Sequence, residues 1–80
     1  MEHFINFIDF IAKNLVDNPD SVSVEAKQPE DNKIVVTLKV GAEDVGKVIG
    51  KQGKTAQAMR TLLTAIAAKE GKKSILEILD

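Results

Sequence analysis

Eighty residues, 44% apolar and 29% charged, describe an ordinary soluble globular chain with material for one small core. No cysteine is present, which excludes a disulfide framework and thiolate chemistry and fits a reducing compartment. The formal net charge of −1 argues against a polyanionic partner only until its distribution is read.

Residues 2–16 read as a helix, because Phe4, Phe7 or Ile8, Ile11 and Leu15 recur at helical spacing. The segment is greasy but not a signal peptide, since Glu2 and His3 stand where positive charge is needed. Asn6, Asp9 and Lys13 interrupt it well short of the roughly 18 apolar residues of a membrane span, so no span and a cytoplasmic location are expected. Ile5, Phe10 and Val16 lie off the stripe. Burial is expected for them as well, because a small domain needs all the core it can make; a partner surface is the alternative.

Asn18-Pro19 ends the helix, since the residue before proline avoids the α region. Ser21–Lys27 alternates, with Val22, Val24 and Ala26 on one face, as a half-buried strand does. Pro29-Glu30-Asp31-Asn32 reads as a turn, and Lys33–Val40 as a second strand with Ile34, Val36, Leu38 and Val40 inward. So short a connection predicts an antiparallel hairpin.

A short helix follows over about Ala42–Ile49, with Glu43 and Asp44 in its first turn where the helix dipole favours negative charge. After a glycine turn, residues 55–69 form a longer helix with Ala56, Met59, Leu62, Leu63, Ile66 and Ala67 on one stripe. Gly71 reads as its C-terminal cap, and Ser74–Leu79 as a last strand. The order α-β-β-α-α-β allows a three-stranded sheet with three helices packed on one face, an α+β fold.

Charge is gathered along this order. Residues 1–46 hold four Lys against nine Asp or Glu, whereas residues 47–73 hold six Lys and Arg60 against Glu70 alone. The positive segment surrounds Val48-Ile49-Gly50-Lys51-Gln52-Gly53-Lys54-Thr55. Gly53-Lys54-Thr55 matches the tail of a Walker A loop, but Val48 occupies the position of its first glycine; the same residue defeats a dinucleotide fingerprint.

Two glycines separated by two residues between helices do something different. Glycine permits positive φ and lets a sugar-phosphate backbone come close. Free N–H groups and the start of the second helix then face phosphate oxygens, and Lys51, Lys54 and Lys47 add charge. Val45 and Ile49 are candidates for the apolar floor of a groove for bases, with plain core as the alternative for each. Arg60 either flanks that groove or sits in solvent. All three Phe lie in the first helix and there is no Trp or Tyr, so aromatic stacking at the loop is not expected.

Val48-Ile49-Gly50-Lys51-Gln52-Gly53 resembles the (V/I)IGxxG core of KH domains, and the element order resembles their bacterial type II arrangement. The resemblance covers residues 1–80 as one KH domain with its GxxG loop at 50–53, and is similar throughout to the small bacterial single-KH proteins of the KhpA family. Ala56 stands where a larger aliphatic residue is common. The resemblance implies binding of single-stranded RNA, or single-stranded DNA, by Gly50, Lys51, Gln52 and Gly53, about four nucleotides at a time. It also implies self-association into a homodimer, a heteromer with a KhpB-type KH protein, and an RNA-chaperone role touching cell shape and cell-wall biogenesis. The exposed part of the first helix, or Ala58, Ala65 and Ala68 on the second side of 55–69, are the candidate contact surfaces.

An enzyme is not expected. His3 is terminal and expected in solvent, Glu43-Asp44 are accounted for by the helix dipole, and no catalytic set, metal-ligand cluster or cofactor motif is present. The rival to a nucleic-acid binder is a dimerising scaffold with little RNA binding of its own.

Overall fold

The computed structural model describes residues 1–80. Helix α1 (Glu2–Leu15) leads through a 3-10 turn at Pro19–Ser21 into strands β1 (Ser23–Glu30) and β2 (Lys33–Lys39). A 3-10 turn at Ala42–Asp44 opens helix α2 (Val45–Ile49), a second one at Lys51–Gly53 opens helix α3 (Lys54–Lys69), and β3 (Lys73–Leu79) closes the fold. The predicted α-β-β-α-α-β order is the observed one.

The sheet runs β1-β2-β3, with β1 antiparallel to β2 and β3 parallel to it. The parallel pairing follows from the α2–α3 crossover, since helices carry the chain back across the sheet before β3 begins. Inward residues Ile34, Val36 and Leu38 of the central strand are fully buried. They pack against Phe4, Ile8 and Ala12 of α1, Val48 of α2, Met59, Leu63 and Ala67 of α3, and Leu76 of β3. All three helices therefore share one sheet face.

Some expectations shift. The hairpin turn is tighter than Pro29–Asn32: Glu30 pairs with Lys33, leaving Asp31-Asn32 as the two-residue loop. Gln28-Pro29 fall at a register shift in β1, an edge strand, where a residue without an N–H costs no ladder bond. In α1 the buried stripe is Phe4, Ile8 and Ala12; Leu15 is exposed, and Phe10 is 70% exposed rather than core. Leu62 of α3 is 50% exposed, because the sheet reaches only the Met59/Leu63/Ala67 side of its stripe. His3 is exposed but not free, its Nε2 lying 2.5 Å from Glu70 Oε2.

Gly71 does cap α3. At φ +70 it donates its N–H to Ala68 O while Lys72 N donates to Ala67 O, the paired bonds of a Schellman motif. That turn aims β3 back along α3.

Candidate nucleic-acid interface

The glycine turn is open. Helix α2 ends when Gly50 N donates to Gly46 O at 2.9 Å and Gly50 takes φ 79, ψ 172, which swings the chain out of the helix. Gly53 N then donates to Gly50 O at 3.1 Å and Lys54 N to Lys51 O, winding the start of α3. The Lys51 and Gln52 amides stand at the beginning of that new turn, where no preceding helical carbonyl lies in line to accept them. Lys51, Gln52 and Lys54 are exposed, and neither lysine pairs with a carboxylate.

Three of the four loop residues occupy positive φ: Gly50 at 79, Gln52 at 58 and Gly53 at 74. The two glycines are needed for different reasons. A Cβ on Gly50 would collide with Thr55, falling 2.6 Å from its Cβ and 2.9 Å from its backbone nitrogen. A Cβ on Gly53 meets nothing within 4 Å, so that position requires the backbone angle alone. Gln52 has neither excuse: a side chain in the left-handed region costs about 1–2 kcal/mol, the kind of strain that collects at binding loops.

Lys47 behaves differently from its loop neighbours. Its Nζ lies 2.7 Å from Asp17 Oδ2 and 3.9 Å from Asp44 Oδ1. The hydrogen bond to Asp17 holds the ammonium above the ordinary lysine range, aided by the nearby charges of Asp17, Asp44 and Glu43. Lys47 is thus tied to the end of α1, while Lys51 and Lys54 are free.

Asp44 is more than a dipole complement. It is fully buried, and its oxygens accept the backbone N–H groups of Asp17 at 3.2 Å and Asn18 at 3.1 Å. The carboxylate therefore pins the chain leaving α1 to the start of α2, the helix that delivers the glycine turn. Sequence reasoning missed this role. An acidic residue in a first helical turn has a ready surface explanation, and its real partners lie far away in the chain.

Of the proposed floor residues, Val45 is half-buried against the core and Ile49, at 38% exposure, offers an apolar surface beside Gly50. Arg60 lies six residues past Lys54, about 9 Å along the axis of α3. It lines a cleft between α3 and the free edge of β3, together with Leu63, Thr64, Ser74, Ile75 and Leu76. Its Nη2 reaches Leu76 O at 3.5 Å, so that carbonyl points off the sheet edge into the cleft. The structure thus places Gly50, Lys51, Gln52, Gly53, Lys54 and Ile49 at the turn and Arg60 in the cleft that α3 leads to. Val45 lies against the core, and Lys47 faces Asp17.

Elsewhere, Phe7, Leu62, Ala65, Ile66 and Lys69 line a shallow apolar groove between α1 and α3, and Phe10 lies one turn along α1 from Phe7. No helix is long and apolar enough to cross a membrane.

Comparison with known proteins agrees with this architecture. Residues 5–78 match the family described as KhpA/KhpB, KH domain. The chain is 56% identical over 69 residues to an RNA-binding protein KhpA of Caldanaerobacter subterraneus subsp. tengcongensis, covering 86% of this chain and 91% of that one. It is 48% identical over 75 residues to the protein of the same name from Aquifex aeolicus, covering 94% of each. Among solved structures it superposes on Era, crystallised with MgGDPNP and nucleotides 1506–1542 of 16S ribosomal RNA, with a TM-score of 0.60. Identity there is 18%, and the match takes in 95% of this chain but 29% of that one, a likeness of fold.

Proposed function

This chain belongs to the KhpA/KhpB family of KH domains, and we propose that it binds single-stranded RNA by clamping the backbone at Gly50–Gly53. The observation that carries the reading is the open turn with two unpaired lysines, Lys51 and Lys54, beside an exposed Ile49. Phosphates sit against the turn's amides and the start of α3, where helix dipole and ammonium charge act together. Bases lie toward the cleft with Arg60, against aliphatic side chains and the Leu76 carbonyl. With no aromatic platform there, affinity is modest and sequence preference shallow. Lys47 contributes charge once Asp17 yields it, and Val45 supports the floor from beneath. The names of its relatives favour RNA over DNA as the strand.

Modest affinity from one groove favours acting in pairs, since a second linked site raises effective concentration. The apolar groove of Phe7, Leu62, Ala65 and Ile66 supports that second reading: a homodimer, or a heteromer with a KhpB-type KH protein, working as an RNA chaperone in post-transcriptional regulation. The chemistry is binding rather than catalysis.

Titration of short fluorescent single-stranded RNA tests the clamp. Lys51→Gln/Lys54→Gln is expected to weaken binding strongly while leaving the melting temperature unchanged. Unaltered binding would move the site elsewhere.

A further inference from the structure

The cleft beside Arg60 does not stop at α3. A second cleft opens from it around the start of β3, lined by Glu30, Asn32, Lys33, Lys73, Ser74 and Ile75. Ser74 and Ile75 line both, so the two adjoin at the free edge of β3.

Lys33 and Lys73 are direct partners across the parallel β2–β3 ladder. Neighbouring strands lie about 4.8 Å apart, and like charges directly opposite one another are unfavourable. Neither ammonium is bridged by a carboxylate. The backbone holds the pair rigidly, since Lys73 N donates to Asn32 O at 2.8 Å at the hairpin loop. An anion between the two ammonium groups relieves their repulsion.

Thr64 stands ten residues past Lys54, about 15 Å along α3, and lines the first cleft with Ser74, the neighbour of Lys73. Strand alternation turns Lys33 and Lys73 to the sheet face opposite α3, so a strand gripped at the glycine turn and laid along α3 reaches this pair by passing over the edge of β3 at Ser74. We propose that Lys33 and Lys73 form a second phosphate contact, which extends the footprint of a bound single strand beyond the four nucleotides of the glycine clamp. The proposal rests on the single-strand-binding reading above and adds to it a direction and a length. Glu30, in the same cleft, opposes the contact and limits its strength.

The experiment compares fluorescent oligouridylates of 4 and 12 nucleotides by anisotropy at several salt concentrations. Lys33→Gln/Lys73→Gln is expected to weaken the 12-mer severalfold, to lower its salt slope by about 0.7 (the share of one phosphate), and to leave the 4-mer unchanged. Glu30→Gln is expected to act in the opposite direction, strengthening the 12-mer and not the 4-mer. Equal effects at both lengths, or none at either, overturn the extended footprint. Lys51→Gln/Lys54→Gln run in parallel keeps the two readings apart: loss of the 4-mer there, with no length dependence at Lys33/Lys73, rejects only the second contact. Full binding by the Lys51/Lys54 variant rejects the clamp itself.

Discussion

The buried Asp44 carboxylate accepts the backbone N–H of Asn18 at 3.1 Å across 26 positions of sequence. It holds the two ends of the hairpin-bearing segment together, and so fixes where α2 and the glycine turn stand relative to α1. Asp44→Ala removes both acceptors and leaves the Asp17 and Asn18 amides short of partners, for an expected loss of about 3 kcal/mol. Asp44→Asn keeps one acceptor and is expected to lose about half of that. Urea midpoints of the three proteins measure the ordering, and an Asp44→Ala protein as stable as the parent would deny the carboxylate its structural role.

The glycines predict separable outcomes. Gly53→Asn has open space and a residue type tolerant of left-handed backbone, so it is expected to fold and bind nearly as the parent does. Gly53→Asp has the same shape with a negative charge facing phosphate, and is expected to fold equally and bind far less. Gly50→Ala meets Thr55 and is expected to cost about 2 kcal/mol of stability before binding is considered. Melting curves beside RNA titrations distinguish a lost fold from a lost contact.

Salt separates the lysines. Each phosphate contact on a single strand contributes about 0.7 to the slope of log affinity against log salt. Lys51→Gln and Lys54→Gln are each expected to flatten it by about that much. Lys47→Gln is expected to change it less, because Asp17 already neutralises that ammonium. A Lys47 effect equal to that of Lys51 would show that the ion pair opens fully on binding.

Two surface pairs contribute to the pH dependence of stability. The His3 hydrogen bond lowers the pKa of Glu70, so this contribution is present above the ordinary carboxylate value of 4.5 and is lost as pH falls through the lower folded value. The Asp17 hydrogen bond raises that of Lys47, so its contribution is present below 10.5 and lost as pH rises through the higher folded value. Both pairs are exposed and small in effect. Against the parent, His3→Ala is expected to flatten the acid limb of a melting-temperature profile and Asp17→Asn the alkaline limb, with little change between.

Self-association is expected to follow the apolar groove. Leu62→Lys places charge at its rim and is expected to shift sedimentation toward monomer while sparing the glycine turn. Unchanged sedimentation would direct attention to Phe10 or to the outer sheet face around Ile75 and Leu79.

Much of the architecture was legible because its signals are local. Alternation marked β2, Gly71 marked the end of α3, and the two glycines marked the turn between helices. The misses are non-local. Nothing in the periodicity of α3 distinguishes Leu62 from Leu63; the distinction lies in how far the sheet extends beneath the helix. Phe10 reads as core by composition and is exposed because α1 turns only its Phe4/Ile8/Ala12 side inward. Asp44 reads as a helix-dipole complement and Lys47 as charge offered to phosphate until the fold brings Asp17 and Asn18 beside them. The cleft carrying Arg60 exists only once β3 lies along α3, so spacing from the glycines left that residue's place open.

The Leu76 carbonyl that meets Arg60 belongs to the main chain. No side-chain replacement can delete this acceptor, so an alanine scan of 73–79 will undercount what the cleft wall contributes. The outward residues at 75, 77 and 79 can accordingly be replaced while the polar rim beside Arg60 stays the same.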